Sequence, residues 1–234
     1  TWAGPRIKTE FEPEFDHWKN ALSEVRFALK NNSLRELAQT QSLNSPRLIE
    51  HMRNHEKIIS GYEGVLSQVV DNKSKLRINN LESHDDPVIL DWVKFMETKY
   101  SRPESLDDVL ILLPCSARKP YSSSRSHKSF RNAINHTSAH EVMVTSPLGI
   151  VPRDLEAVWP AGYYDIPVTG DWAQSELTRI QEMLSKLVEK NHYRIVINHS
   201  GIEVELPNPV IDTRLGNKPT SEKALDSLGT AVHS

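Results

Sequence analysis

Residues 108–127 read Asp-Val-Leu-Ile-Leu-Leu-Pro-Cys-Ser-Ala-Arg-Lys-Pro-Tyr-Ser-Ser-Ser-Arg-Ser-His. The first part is a continuous apolar run, Val109 to Leu113, closed by Pro114. Such a run is apolar on both faces, so it reads as a central strand of a covered, parallel sheet. The second part is a loop of small polar residues, cations and the chain's only cysteine. In open α/β sheets ligands bind beyond the carboxyl ends of the strands, which is where this loop begins.

The same kind of run returns at 141–145 (EVMVT) and 193–198 (YRIVIN). Between them, residues 173–190 place Leu177, Ile180, Leu184, Leu187 and Val188 on one helical face, with Asp171 as a cap. Residues 126–134 form a weaker helix. Residues 202–206 are a further strand candidate, and Pro219-Thr220-Ser221 opens a last helix over Ala224, Leu225 and Leu228. Strands alternating with helices predict an α/β fold, a mainly parallel sheet with helices on both faces.

Upstream the pattern is helical. Residues 14–30 carry Phe15, Trp18, Leu22, Val25 and Leu29 at three- and four-residue steps. Asn31-Asn32 ends that helix, and Ser33 with Glu36 has the spacing of a capping box. After Pro46 a stripe runs through Leu48, Met52, His55, Ile59 and Tyr62. Residues 71–87 are polar and read as a linker, with a short strand at 76–78. Asp86-Pro87 opens another helix with Ile89, Trp92, Val93 and Met96 inward. The expected division is a helical N-terminal domain, 1–102, and an α/β core domain, 103–234.

The 234 residues carry a net charge of −3, a pI near 6.4 and 38% hydrophobic residues. That balance excludes a disordered chain and a strongly basic nucleic-acid module. A single cysteine excludes an internal disulfide and a Cys-pair zinc site. No run approaches the ~20 apolar residues of a membrane span, and residues 1–15 hold no signal-peptide core. No membrane association and a cytoplasmic location are the expectation.

Three loops leave the carboxyl ends of the expected strands: 114–127, 146–154 and 199–201. The aromatic, proline-containing segment 160–170 is a fourth element of the same edge. Each residue has a plain reading beside a functional one. A lone cysteine is usually a small buried hydrophobe; at a strand end beside Lys119 and Arg118, Cys115 is also a candidate thiolate. His127 at a helix start is a cap or an acid–base group. Asp165 ends a turn or binds a ligand, and His199 is similar. The signal is the convergence of the loops on one sheet edge.

The string PCSARKPYSSSRSH, residues 114–127, resembles the Pro-Cys-Ser-x-x-Lys-Pro-Tyr-x-x-Ser-x-Ser-His motif of the archaeosine synthase family, the archaeal paralogues of tRNA-guanine transglycosylase. VTSPLGIVPRDLE (144–156) and PAGYYDIPVTGDW (160–172) are similar to that family's second and third signatures. The transglycosylase-like barrel and the RNA-binding PUA barrel of the long family members are not in this sequence. It therefore reads as the core region, a separate subunit or a piece of the longer chain.

The resemblance implies a tRNA-modifying transferase. It adds an amine, free lysine, to the nitrile of cyano-deazaguanine in the tRNA D-loop and forms an amidine. A radical S-adenosylmethionine subunit then cleaves the lysine adduct, and a PUA-containing chain or domain helps hold tRNA. No cofactor or metal is implied, and no ATP is needed in the addition, because a nitrile is already an electrophile. The catalytic candidates are Cys115, Lys119 and Asp165. Ser116, Tyr121, Ser124, Ser126, His127 and Ser146 are the expected substrate-binding lining. Cys115 either forms a thioimidate or is a packing residue; in the second case Lys119 or His127 assists direct attack. A non-catalytic tRNA-binding scaffold and a glycosylase-like enzyme using Asp165 are the alternative readings. At −3 net charge the chain alone should bind tRNA weakly and with steep salt dependence.

Overall fold

The computed structural model describes residues 11–31, 33–58, 76–77, 84–135, 137–165 and 172–233. The chain divides into two compact units. One is Thr1–Ser74 with Asp85–Val88; the other is Lys75–His84 with Ile89–Ser234.

The first unit holds helices α1 (Phe11–Lys30), α2 (Leu34–Ser42) and α3 (Pro46–Ile58). The stripe expected on α1 is present as a pattern but is not buried. Phe15, Trp18, Leu22, Val25 and Leu29 are exposed, and of the described α1 residues Ala28 alone is buried. Ser33 does not build the expected capping box. Its hydroxyl donates back to the Ala28 carbonyl at 3.5 Å, satisfying the end of α1 instead. Asp86 does what its position before Pro87 implies: its Oδ1 accepts from the Val88 amide at 2.9 Å, an N-terminal cap. Its other oxygen lies 2.8 Å from Arg35 Nε, with both side chains buried. Ile59, Tyr62 and Ile78 lie outside the described residues.

The second unit is α/β. Its elements are β1 (Leu76–Arg77), α4 (Pro87–Thr98), β2 (Val109–Pro114), α5 (Arg125–Ile134), β3 (His140–Thr145), β4 (Gly149–Pro152), β5 (Tyr164–Asp165), α6 (Gln174–Asn191), β6 (Ile195–Asn198), β7 (Val210–Asp212) and α7 (Glu222–His233). Five strands form one sheet in the order β4-β3-β2-β6-β7. β3, β2, β6 and β7 are parallel, and β4 is antiparallel to β3. Leu110, Ile111, Leu112 and Leu113 are all 0% exposed. Four consecutive buried residues mean that both faces of β2 are covered, as the unbroken apolar run implies. α5 packs on α7, α7 on β6, and α6 on β4.

Residues 202–206 do not form the extra strand. Gln181 of α6 holds that segment through the Glu205 amide at 3.1 Å and the Glu205 carbonyl at 2.5 Å. Pro207 and Pro209 supply no N–H, and parallel pairing resumes one residue later in β7. The cap expected from Asp171 also falls outside the described residues. Ala173 stands at the helix start, and Glu176 accepts from its amide at 2.6 Å. Among the described residues no helix is long and apolar enough to cross a membrane.

Candidate active site

Because β2, β3 and β6 are adjacent and parallel, Cys115, Ser146 and His199 follow the same sheet edge. Pro114 pairs with Val144, so Cys115 stands level with Thr145, the last residue of β3. The Thr145 hydroxyl is 2.5 Å from the Tyr164 hydroxyl. Tyr164 in turn shares a short hydrogen bond with the Tyr121 hydroxyl. Both tyrosines and Thr145 are buried, so the three hydroxyls form a closed floor under the strand ends. The thiol of Cys115 and the ammonium of Lys119 sit on that floor, both half-buried. Lys119 Nζ lies 3.9 Å from the Tyr164 ring centroid and 5.9 Å from that of Tyr121, within cation–π range.

These surroundings fix protonation. Burial pushes the Cys115 thiol up from its ordinary value; a hydrogen bond from Thr145 and the Lys119 charge offset this only in part. The lowering expected from nearby cations is therefore present but outweighed by desolvation. The resting group is a thiol. Burial also raises Tyr121 and Tyr164, so the floor is neutral.

The loop over this floor is held by its own small residues. Ser116 Oγ donates to the Arg118 carbonyl at 3.0 Å, and Ser123 Oγ to the Pro120 carbonyl at 2.7 Å. Ser124 caps α5, accepting from the His127 amide at 3.2 Å, and contacts Ser126 Oγ at 3.2 Å. Ser146, on the neighbouring loop, donates to Glu176. These serines shape the edge through protein partners.

His127 is fully buried. Its Nε2 is 3.0 Å from the Pro114 carbonyl, which can only accept, so Nε2 carries the proton. Nδ1 then accepts from Arg153 Nη2 at 3.0 Å. Burial first and the Arg153 charge second lower its pKa to about 3. His127 thus ties the end of β2 to Arg153 and is not an acid–base group near neutrality. His199 is spent in the same way. Nε2 donates to the Pro219 carbonyl at 2.8 Å, Nδ1 accepts from Thr213 at 2.7 Å, and burial lowers its pKa.

Arg153 is the hub beneath the loop. Its Nη2 reaches Glu141 Oε2 at 2.6 Å and its Nη1 reaches Glu156 Oε2 at 2.9 Å. Glu156 also accepts from the Ser122 amide at 2.9 Å. A strand, a turn and the motif loop are thereby locked by one guanidinium. Thr145, Tyr164, Arg153, Glu141, Glu156 and Glu176 were not singled out by the sequence reading. The only signal for most of them was their place inside the second and third motif strings. Asp165 pairs in β5 with Arg77 of β1, Leu76 pairing with Tyr164. The structure brings together Cys115, Lys119 and Tyr121, adding Thr145 and Tyr164.

A half-exposed thiol, a cation over an aromatic face and a relay of hydroxyls suit addition to a polarised multiple bond. The group class this defines is an α/β domain with a strand-end thiol loop. Residues 89–232 match the family described as a domain of unknown function, DUF5591, and the chain belongs to that family. It is 36% identical to an archaeosine synthase of Haloferax volcanii over 79% of this chain and 31% of that protein. It is 35% identical to an archaeosine synthase subunit alpha of Thermoplasma acidophilum, over 74% of this chain and 33% of that protein. The chain thus spans about a third of the length of these relatives. A solved structure, that of AF0587, a protein of unknown function, is similar with a TM-score of 0.45 and 24% identity, over 61% of this chain and 50% of that one.

Proposed function

We propose that the chain carries the amine-addition step of archaeosine formation. The amino group of free lysine adds to the nitrile carbon of cyano-deazaguanine in tRNA, giving an amidine. The observation that carries this reading is the placement of Cys115 and Lys119 together over the Thr145–Tyr164–Tyr121 floor. The motif loop and the archaeosine synthase names of the relatives support it.

In the route through Cys115, the sulfur bonds to the nitrile carbon and the thiol proton ends on the nitrile nitrogen. The product is a thioimidate. The lysine amine then attacks that carbon, the C–S bond breaks, and one amine proton returns to sulfur. The thiol is regenerated and no oxidant or reductant is consumed. Lys119 faces the nitrogen where negative charge develops, and the buried hydroxyls hold the thiol's proton during attack. Asp165 pairs with the α-ammonium of the incoming lysine or with the N–H edge of the base, since a carboxylate only accepts. A radical S-adenosylmethionine partner cleaves the adduct afterwards, and a PUA-containing chain or domain contributes to tRNA binding.

Incubation with tRNA containing cyano-deazaguanine and labelled lysine tests this. The reading expects label covalently attached to tRNA. Binding without label transfer supports a scaffold, and release of the base supports a glycosylase-like enzyme.

A further inference from the structure

The chain is acidic overall, but its charge is divided unevenly. Residues 109–140 contain Arg118, Lys119, Arg125, Lys128 and Arg131 and no Asp or Glu. That stretch carries +5, leaving the rest of the chain at −8. Four of the five cations, all but the half-buried Lys119, are exposed.

The fold sorts them onto one surface. Arg125, Lys128 and Arg131 occupy i, i+3 and i+6 of α5, while His127, Phe130 and Ile134 form its buried face. At 1.5 Å rise per residue the row spans about 9 Å. Arg131 is partly fixed, because its Nη2 donates to the Ser122 carbonyl at 3.2 Å. Hydrogen-bonding side chains continue beside the row: Ser129 and Asn132 line a groove with Asp226, Thr230 and His233 of α7. Asp226 is the one acid among those lining residues. The row begins at the end of the loop that leaves Cys115.

We infer that this face of α5, with Arg118, is the surface that meets the phosphate backbone of the RNA whose base enters the candidate site. It rests on the proposed function only for the identity of that RNA. Regularly spaced cations with the Asn132 amide beside them match phosphodiester oxygens, the groups that position a nucleic acid without reading its sequence. Stable seating on a lipid surface takes inserted apolar side chains in addition to charge. Residues 109–157 contribute none of the exposed large hydrophobic side chains among the described residues. An acidic protein partner would want aromatic or aliphatic anchors, and the face has none of these either.

The test compares the full chain with Arg125→Gln/Lys128→Gln and with a control, Lys94→Gln/Lys99→Gln, whose exposed lysines lie on and just after α4. The probe is an unmodified tRNA transcript, so binding is read without any chemistry. The inference expects at least tenfold weaker binding by the α5 variant at low salt, and a slope of log K against log salt shallower by about 1.5. The control should match the parent chain. An unchanged slope, an equal loss in the control, no binding by the parent chain, or tighter binding of polyglutamate than of tRNA would each overturn it. Labelled-lysine transfer is assayed separately. Loss of that activity alone removes the proposed function and leaves this surface standing.

Discussion

The two edges of the central sheet both bury a histidine among tyrosines, yet they are built for different ends. At the amino edge His140 is fully buried between Tyr100 and Tyr193, with ring centroids 6.0 and 5.8 Å away. Tyr100 donates to Asp154 at 2.9 Å, so its oxygen accepts from His140 Nε2 at 3.0 Å. Nδ1 accepts from Tyr193 at 2.5 Å. Each polar atom of that cluster has a protein partner, and none of the three rings is left exposed. At the carboxyl edge the tyrosine floor is just as closed, but a thiol and an ammonium are left half-exposed above it. One short turn serves both: Arg153 braces the motif loop and the adjacent Asp154 closes the amino-edge cluster. The lesson is that a buried, fully bonded histidine marks a joint in the structure, and chemistry belongs where a reactive group keeps one face open.

That contrast can be broken from the carboxyl side first. Lys119→Ala removes the charge proposed to face the nitrile nitrogen, together with its cation–π contact on Tyr164. It should lower lysine transfer about a hundredfold, by analogy with a lost oxyanion donor worth about 3 kcal/mol, while loss of the cation–π contact costs only about 1 kcal/mol of stability. Steady-state transfer and denaturant titration measure the two halves of that statement.

Arg153→Met should do the reverse in stability. It leaves Glu141 and Glu156 without their cation in a partly buried site, costing about 2–4 kcal/mol. The same denaturant titration reads this directly, and the motif loop should become more sensitive to protease.

The pH dependence of stability sharpens the comparison, because both edges contribute. His127 and His140 are lowered from 6.5 to about 3 by burial, so the unfolded chain binds protons that the folded chain refuses. Their stabilisation is fully present above pH 6.5 and is lost as pH falls toward 3. Each contributes a slope of about 1.4 kcal/mol per pH unit within that window. His140→Gln should remove its own share of the slope, about 1.4 kcal/mol per pH unit, while leaving transfer by the folded chain within a few-fold of the parent. Unfolding midpoints at pH 7, 6 and 5 check the slope, and a flat profile would contradict it.

The smallest expected effect belongs to Thr145→Val. It deletes the hydroxyl between Cys115 and Tyr164 but keeps the volume. The thiol, already raised by burial, should rise further. Alkylation of Cys115 at neutral pH should slow by several-fold, read as a shift of the rate profile to higher pH.

The sheet was legible in the sequence because burial on both faces leaves nothing polar in a strand, and 109–113 met that condition. The loop holding Cys115 and Lys119 was legible from its position after that run. Elsewhere local pattern misled. The α1 stripe has helical spacing, but spacing does not say whether anything covers it. Residues 202–206 alternate like a strand, but Gln181 captured their backbone and two prolines followed. The Arg153 hub was invisible because its partners come from β3, the loop after β2 and the turn after β4. Such a charge network has no local period; only the fold assembles it. The histidines were overvalued for a related reason: sequence shows a titratable side chain but not the carbonyl that fixes its tautomer.

The central claim is that the open thiol at the carboxyl edge forms the bond to the nitrile. The measurement is transfer of labelled lysine to cyano-deazaguanine tRNA by Cys115→Ala, with folding checked by circular dichroism. The account predicts a folded protein whose transfer is reduced at least a hundredfold and which no longer yields a covalent protein–tRNA species when lysine is withheld. Transfer within a few-fold of the parent chain would contradict it, leaving direct attack by lysine and returning Cys115 to a packing role.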